Sequence, residues 1–134
     1  MNLILLSLFL SLCIFPVTPS RCSGCGCIPR LTFDQEWLQE HYPAIATSNS
    51  AFSFSNPTIT YPDCYACVTT CPSGQQVASL DFNSEVLTIG GPNFPNPFIK
   101  DFLICDEHVW YNAGLGTEAD SYFNSSALGC AVAK

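Results

Sequence analysis

Nine cysteines in 134 residues constrain this chain more than any other feature. Cys13 stands apart, inside residues 3–15, LILLSLFLSLCIF, an apolar run broken only by Ser7 and Ser11. As a helix that run rises about 20 Å, short of the roughly 30 Å hydrocarbon core of a bilayer. Pro16-Val17-Thr18-Pro19-Ser20 follows, with the small residues Thr18 and Ser20 placed for a cut after Ser20. Although no Lys or Arg precedes the apolar run, this is the layout of a secretory signal peptide. Residues 1–20 are read as a leader and residues 21–134 as one mature domain. Cleavage removes Cys13 and leaves an even set: Cys22, Cys25, Cys27, Cys64, Cys67, Cys71, Cys105 and Cys130. No second apolar stretch of spanning length follows, so no membrane span is expected after cleavage.

The spacing is C-x2-C-x-C over Cys22, Cys25 and Cys27, then C-x2-C-x3-C over Cys64, Cys67 and Cys71, then Cys105 and Cys130 alone. In a cytosolic chain the CxxC pairs would point to zinc. An exported chain meets an oxidising compartment, where thiols pair. All eight are therefore read as disulfide partners, and no metal or cofactor is assigned. Roughly a hundred connectivities are possible, and spacing does not select one. The two three-cysteine clusters are expected to exchange partners, and Cys105 with Cys130 to close the last hairpin region. Each bridge adds about 2–4 kcal/mol, against a net domain stability of about 5–15 kcal/mol, so the fold is expected to depend on oxidation.

Only 11% of the residues are charged, while 48% are hydrophobic and 13% aromatic, which suits a packed domain rather than a disordered chain. Four Lys and Arg against 11 Asp and Glu give a net charge of −7. That balance excludes nucleic acid as a partner, because too few cations exist to neutralise a run of phosphates.

Residues 32–41, TFDQEWLQEH, form the one clear helix, with Thr32 and Gln35 as a capping box and Pro43 as the stop. Residues 44–63 read as strand or loop, with Phe52 and Phe54 alternating with serines. From Cys64 the reading is mostly strand: 77–83, 86–89, 98–105 and 109–112, with the last two joined in a hairpin across Asp106-Glu107-His108. Gly90-Gly91-Pro92 opens an exposed Pro-rich loop over 92–97, and Tyr122-Phe123 and 128–132 finish the chain. Short strands with turn signals every 8–12 residues indicate a mainly β fold. The expectation is a small disulfide-rich antiparallel β-sandwich with one short N-terminal helix.

Chemistry-bearing patterns are sparse. There is no G-x-S-x-G elbow and no H-E-x-x-H pair. His41 is accounted for by the end of the helix, where the dipole favours a cation. His108 sits in an acidic turn, and Asp101 with Asp106 can be written as a glycosidase pair, as in any acidic domain. Neither CxxC opens a helical pattern, which argues against a thioredoxin-like redox centre. Asn124-Ser125-Ser126 is a glycosylation sequon, whereas Asn56-Pro57-Thr58 is blocked by its proline. Trp110, Tyr111, Phe94 and Phe98 lie beside loops, where the commoner role of an aromatic is core packing.

From Cys22 to Cys130 the layout resembles the small secreted six-cysteine domains of nematodes, whose function is unassigned. The matching features are Cys22 with Cys25, the span from Cys64 to Cys71, Asp81-Phe82-Asn83, the Gly90-Gly91-Pro92 turn, Cys105 followed by Trp110, and Cys130. Cys27 and Cys67 depart from the six-cysteine pattern, either bridging each other or reshuffling the framework. The resemblance implies no activity and no catalytic residue. The sequence thus points to a secreted, non-enzymatic extracellular binding or structural module. Its contact loops are 90–97 and 106–116, its partner an extracellular protein or glycan, favoured when basic or neutral. The alternative is a small secreted hydrolase or effector using Asp106 or His108.

Overall fold

A computed structural model describes residues 23–134. The leader and Cys22 lie outside the described residues. In chain order the described elements are α1 (Gln35–His41), α2 (Pro43–Ser48), β1 (Phe52–Ser55), β2 (Thr58–Thr60), a 3-10 turn (Pro62–Cys64), β3 (Cys67–Thr70), β4 (Gln76–Asp81), β5 (Val86–Ile89), β6 (Phe98–Lys100), β7 (Leu103–Asp106), β8 (Val109–Asn112), β9 (Thr117–Glu118), α3 (Asp120–Asn124) and β10 (Ser126–Ala133). They build three antiparallel sheets, ordered β1-β10-β4-β5, β2-β3-β6 and β7-β8-β9. This is the mainly β, disulfide-rich architecture that the sequence implies. No helix of the described residues is long and apolar enough to cross a membrane.

Local chemistry explains where elements depart from expectation. The cap of α1 is Asp34, not Thr32: the Asp34 carboxylate accepts from the Trp37 N–H at 2.8 Å. Thr32 is drawn instead into a parallel bridge with Leu128. Pro43 ends α1 and also starts α2, since a proline at the first helical position sacrifices no hydrogen bond. Tyr122 and Phe123, read as strand, lie in the five-residue α3. The run 98–105 splits into β6 and β7 because Phe102 adopts φ 59° and turns the chain from one sheet to another. The expected hairpin follows, closed by Glu107 and His108, both at positive φ, as a tight two-residue turn requires.

β10 is central in the first sheet and is buried on both faces. On one face Ala127 and Ala131 join Phe33, Leu38, Ala46, Phe54, Ala78 and Leu80 beneath the two N-terminal helices. On the other, Leu128 and Cys130 pack with Val77 and Cys71. Phe94 and Phe98, with ring centroids 5.3 Å apart, cover this second face. Asn96 fastens the Pro-rich loop there: its Oδ1 accepts from the Cys71 N–H at 3.0 Å and its Nδ2 donates to the Cys71 carbonyl at 3.0 Å. The loop is exposed, as expected, but it is pinned over a bridge.

Among the described residues three disulfides join the parts: Cys25–Cys64, Cys27–Cys105 and Cys71–Cys130. The expected Cys105–Cys130 bridge does not form, because β7 and β10 belong to different sheets with different cores. Cys27 does not pair with Cys67. Cys67 is buried and carries no bridge among the described residues.

Gly129 is the narrow point of the first core. A Cβ there would stand 2.7 Å from Cζ of Phe33, inside contact distance. Gly129→Ala is expected to destabilise the protein by about 1–3 kcal/mol through overpacking. Adding Phe33→Leu should cost less than the two single changes summed, as measured by denaturant unfolding of all three variants.

Candidate functional site

The third sheet presents one face to the interior and one to solvent. Leu103 and Trp110 point inward and are fully buried. The Trp110 ring lies between Phe123 (centroids 5.0 Å, interplanar angle 7°) and Tyr61 (5.8 Å, 18°), and its Nε1–H donates to the Ile28 carbonyl at 2.8 Å. Trp110 is thus a core residue. Cys27–Cys105 fixes β7 to the N-terminal segment on this same side. His108 is part of the same fastening: its Nδ1 lies 2.8 Å from the Gly26 carbonyl.

The outward face carries large apolar groups in water. Ile104 stands opposite Tyr111 in the ladder. Phe102 extends it, accepting from the Ala113 N–H at 2.7 Å, and is 62% exposed. Tyr65, from the segment after the 3-10 turn, meets the Phe102 ring edge-on at 5.7 Å. Leu115, at the tip of the β8–β9 turn, is 76% exposed. On this face lies a shallow depression lined by Ile104, Asp106, Tyr111 and Ala113. The acidic residues Asp101, Asp106, Glu107 and Glu118 are exposed around it, with Glu118 directly across from Tyr111. Asp101 and Asp106 stand beyond and at the two ends of β7.

Among the described residues, five of the six non-glycine positions with positive φ frame this region: Asp63, Cys64, Phe102, Glu107 and His108. Left-handed backbone costs an ordinary residue roughly 1–2 kcal/mol, so the surroundings must hold each one in place. Here Cys25–Cys64 anchors the first pair and the β7–β8 ladder anchors the rest.

Behind the inward face lies a buried polar group. Arg30 is 4% exposed and has neutral partners: its guanidinium donates to the Ser126 carbonyl and to Ser126 Oγ at 2.7 Å, and stacks 4.4 Å from the Tyr122 ring centroid. Its backbone N–H donates to the Tyr61 hydroxyl at 2.6 Å. The Arg30 Nε and the Tyr122 hydroxyl have no partner among the described residues. Burial pushes the Tyr61 and Tyr122 phenols up to about 12, against the opposing pull of Arg30. Burial likewise pushes the Cys67 thiol up to about 11. A thiol so placed stays protonated at neutral pH and is a poor nucleophile, which removes Cys67 from the candidates for a catalytic cysteine.

No family model, curated protein or solved structure matches the chain.

The 106–116 segment named from sequence lies at the outward face, and Tyr111 belongs to it. The other contact loop, 90–97, covers the Cys71–Cys130 core instead. Leu115 belongs to the 106–116 segment too, whereas sequence reasoning missed Phe102, Ile104 and Tyr65. Phe102-Leu103-Ile104 reads as an unbroken apolar run, which conceals which side chains face water.

The two buried phenols yield a pH prediction. Their folded values lie above the ordinary 10, so the stability they contribute is fully present below pH 10 and is lost as the pH rises towards 12. Absorbance at 295 nm should show Tyr61 and Tyr122 ionising last, together with loss of near-ultraviolet circular dichroism. Phenylalanine at both positions should remove that late absorbance step.

Proposed function

We propose that this protein is a secreted, non-enzymatic extracellular binding module whose contact surface is the outward face of β7 and β8. One observation carries the reading: Ile104 on the β7–β8 hairpin, Phe102 just before it, Leu115 in the following turn and Tyr65 against Phe102 are all exposed, on a hairpin fixed from behind by Cys27–Cys105 and by the Trp110 stack. A rigid apolar patch with a polar rim is the anatomy of an interface centre, since little ordering entropy is lost on association. The acidic rim selects a partner whose own rim is neutral or basic. An extracellular protein suits the patch best, with the aromatic pair Tyr65 and Phe102 as its anchor.

The secretory reading rests on the leader pattern and on three bridges, which persist in oxidising compartments. It also gives Asn124 a role. Asn124 is exposed at the end of α3, whose Phe123 packs on the inward side of the third sheet. A glycan there leaves the outward face open.

Replacing Phe102 and Ile104 together by serine is expected to change stability by less than about 1 kcal/mol, since both are exposed. The same change should abolish capture of partners from extracellular extract. Val86→Ser, another exposed apolar site, on β5, serves as the control and should capture normally. Equal capture by all three proteins refutes the assignment. For the glycan, glycosidase treatment of protein from a secreting eukaryotic cell should increase gel mobility, and Asn124→Gln should remove that shift. An unchanged mobility means the sequon is unused.

A further inference from the structure

We propose that β5 is a docking edge for a second copy of this chain, the two β5 strands pairing antiparallel about a dyad at Thr88. The proposal stands apart from the contact face on β7 and β8, which belongs to another sheet.

The two edges of the first sheet are built differently. Its order is β1-β10-β4-β5, so β1 and β5 are the outer strands. Along an antiparallel edge strand, residues alternate between bonding inward and pointing N–H and C=O outward. On β1 the outward positions are Phe52 and Phe54, a phase set by the Lys134 N–H, which donates to the Ala51 carbonyl at 2.9 Å. Both outward donors are occupied from within the chain. The Phe52 N–H donates to the Asn49 carbonyl at 3.0 Å, and the Phe54 N–H donates to the Gln35 side-chain oxygen at 3.1 Å.

On β5 the phase is set by the Gly90 N–H, which donates to the Val77 carbonyl at 2.8 Å. Val86 and Thr88 therefore bond β4, while the main-chain groups of Leu87 and Ile89 point outward. Among the described residues, nothing on that side bonds the N–H or carbonyl of either. Edge strands are ordinarily guarded by a charged side chain, a proline or a bulge. β5 reads Val86-Leu87-Thr88-Ile89 and pairs residue for residue with β4, so it carries none of these. An open groove runs beside it, lined by Ala44, Ile45, Ser48, Asn49, Glu85 and Leu87.

A second β5 satisfies this edge. The outward pairing sets Leu87 opposite the second copy's Ile89, each pair exchanging both N–H···O bonds. Thr88 then faces the second copy's Thr88 at the closer, non-hydrogen-bonded position, where two threonines pair well. Val86, 54% exposed in the monomer, becomes the diagonal neighbour of the second copy's Thr88. The ladder ends where the chain turns away at Gly90, with φ 60°. A dyad between antiparallel strands runs perpendicular to the sheet, so one continuous sheet results with both sets of helices on the same face.

Charge favours a copy at this edge despite the acidic chain. No charged residue lies within β5, so like charges do not meet in the ladder. The nearest, Glu85, falls level with the second copy's Gly91. The two Glu85 side chains then stand about 20 Å apart, beyond a screening length of about 8 Å. Four-residue edges form a small interface, and each copy carries −7, so the dimer is weak and salt strengthens it.

The test is sedimentation equilibrium of the full chain with its disulfides intact, from about 5 to about 500 µM. Monomer should pass to dimer over that range, more completely at about 0.5 M than at about 0.05 M sodium chloride. By hydrogen exchange, the Leu87 and Ile89 amides should be fast in the monomer and at least about tenfold slower in the dimer. Thr88→Lys should weaken dimerisation at least about tenfold by placing like charges at the dyad. It does so while lowering the net negative charge, a change that would strengthen association limited by overall repulsion. Phe102→Ser with Ile104→Ser should dimerise like the parent. A monomer at every concentration overturns the proposal. So does a dimer with the Leu87 and Ile89 amides still fast, one indifferent to Thr88→Lys, or one lost with Phe102 and Ile104. If Thr88→Lys fails to fold, Thr88→Glu makes the same test, and exchange in the parent decides without either.

Discussion

Covalent ties between small, separate cores are what hold this protein together. No single apolar centre runs through the described residues. One cluster sits beneath the N-terminal helices, a second around Trp110, and a third against Cys71 and Cys130. Each is too small to order a chain alone, because a small core excludes little surface from water relative to the entropy it must offset. The bridges make them cooperative. Cys71–Cys130 links the end of β3 to the middle of the first sheet, while Cys25–Cys64 and Cys27–Cys105 clamp the N-terminal segment across the second and third. The N-terminal segment then has two duties. It supplies half of those two bridges, and it carries Arg30 and Ile28 into hydrogen bonds with β10 and Trp110.

The same arrangement accounts for the rigidity of the candidate surface. An apolar patch in water is unfavourable unless something prevents it from collapsing inward. On β7 and β8 the inward positions are already filled by Leu103, Cys105 and Trp110, and alternation along a strand leaves Ile104 and Tyr111 outside. The patch exists because the core behind it is full.

Much of the framework was legible in the residues. Cysteine spacing and composition indicated a disulfide-rich β domain, the alternation of Phe52 and Phe54 with serines located β1, and short apolar runs between turn signals located β4, β5 and the β7–β8 hairpin. Other features were not legible, for identifiable physical reasons. Asp34 lies two residues after Thr32, and both are good caps, so only the pull of Leu128 on Thr32 decides between them. Pro43 is both a stop and a start, and a local pattern shows only the stop. The pairing of Cys105 with Cys27 rather than Cys130 is a tertiary fact, set by which sheet each strand joins. The outward face escaped notice because Phe102, at positive φ, interrupts an apolar run that otherwise reads as one buried strand.

The position of β10 has a consequence for how the chain is made. It is the middle strand of the first sheet, pairing with β1 on one side and β4 on the other, yet it comprises residues 126–133. Every strand it joins has left the ribosome before it does. The first sheet therefore cannot assemble vectorially during synthesis. Helices, hairpins and an unpaired Cys71 must wait, apolar surfaces open, until β10 arrives and slots between β1 and β4. Closure of the first sheet and of the Cys71–Cys130 bridge is thus set by the arrival of β10 rather than by the order in which the earlier strands are made.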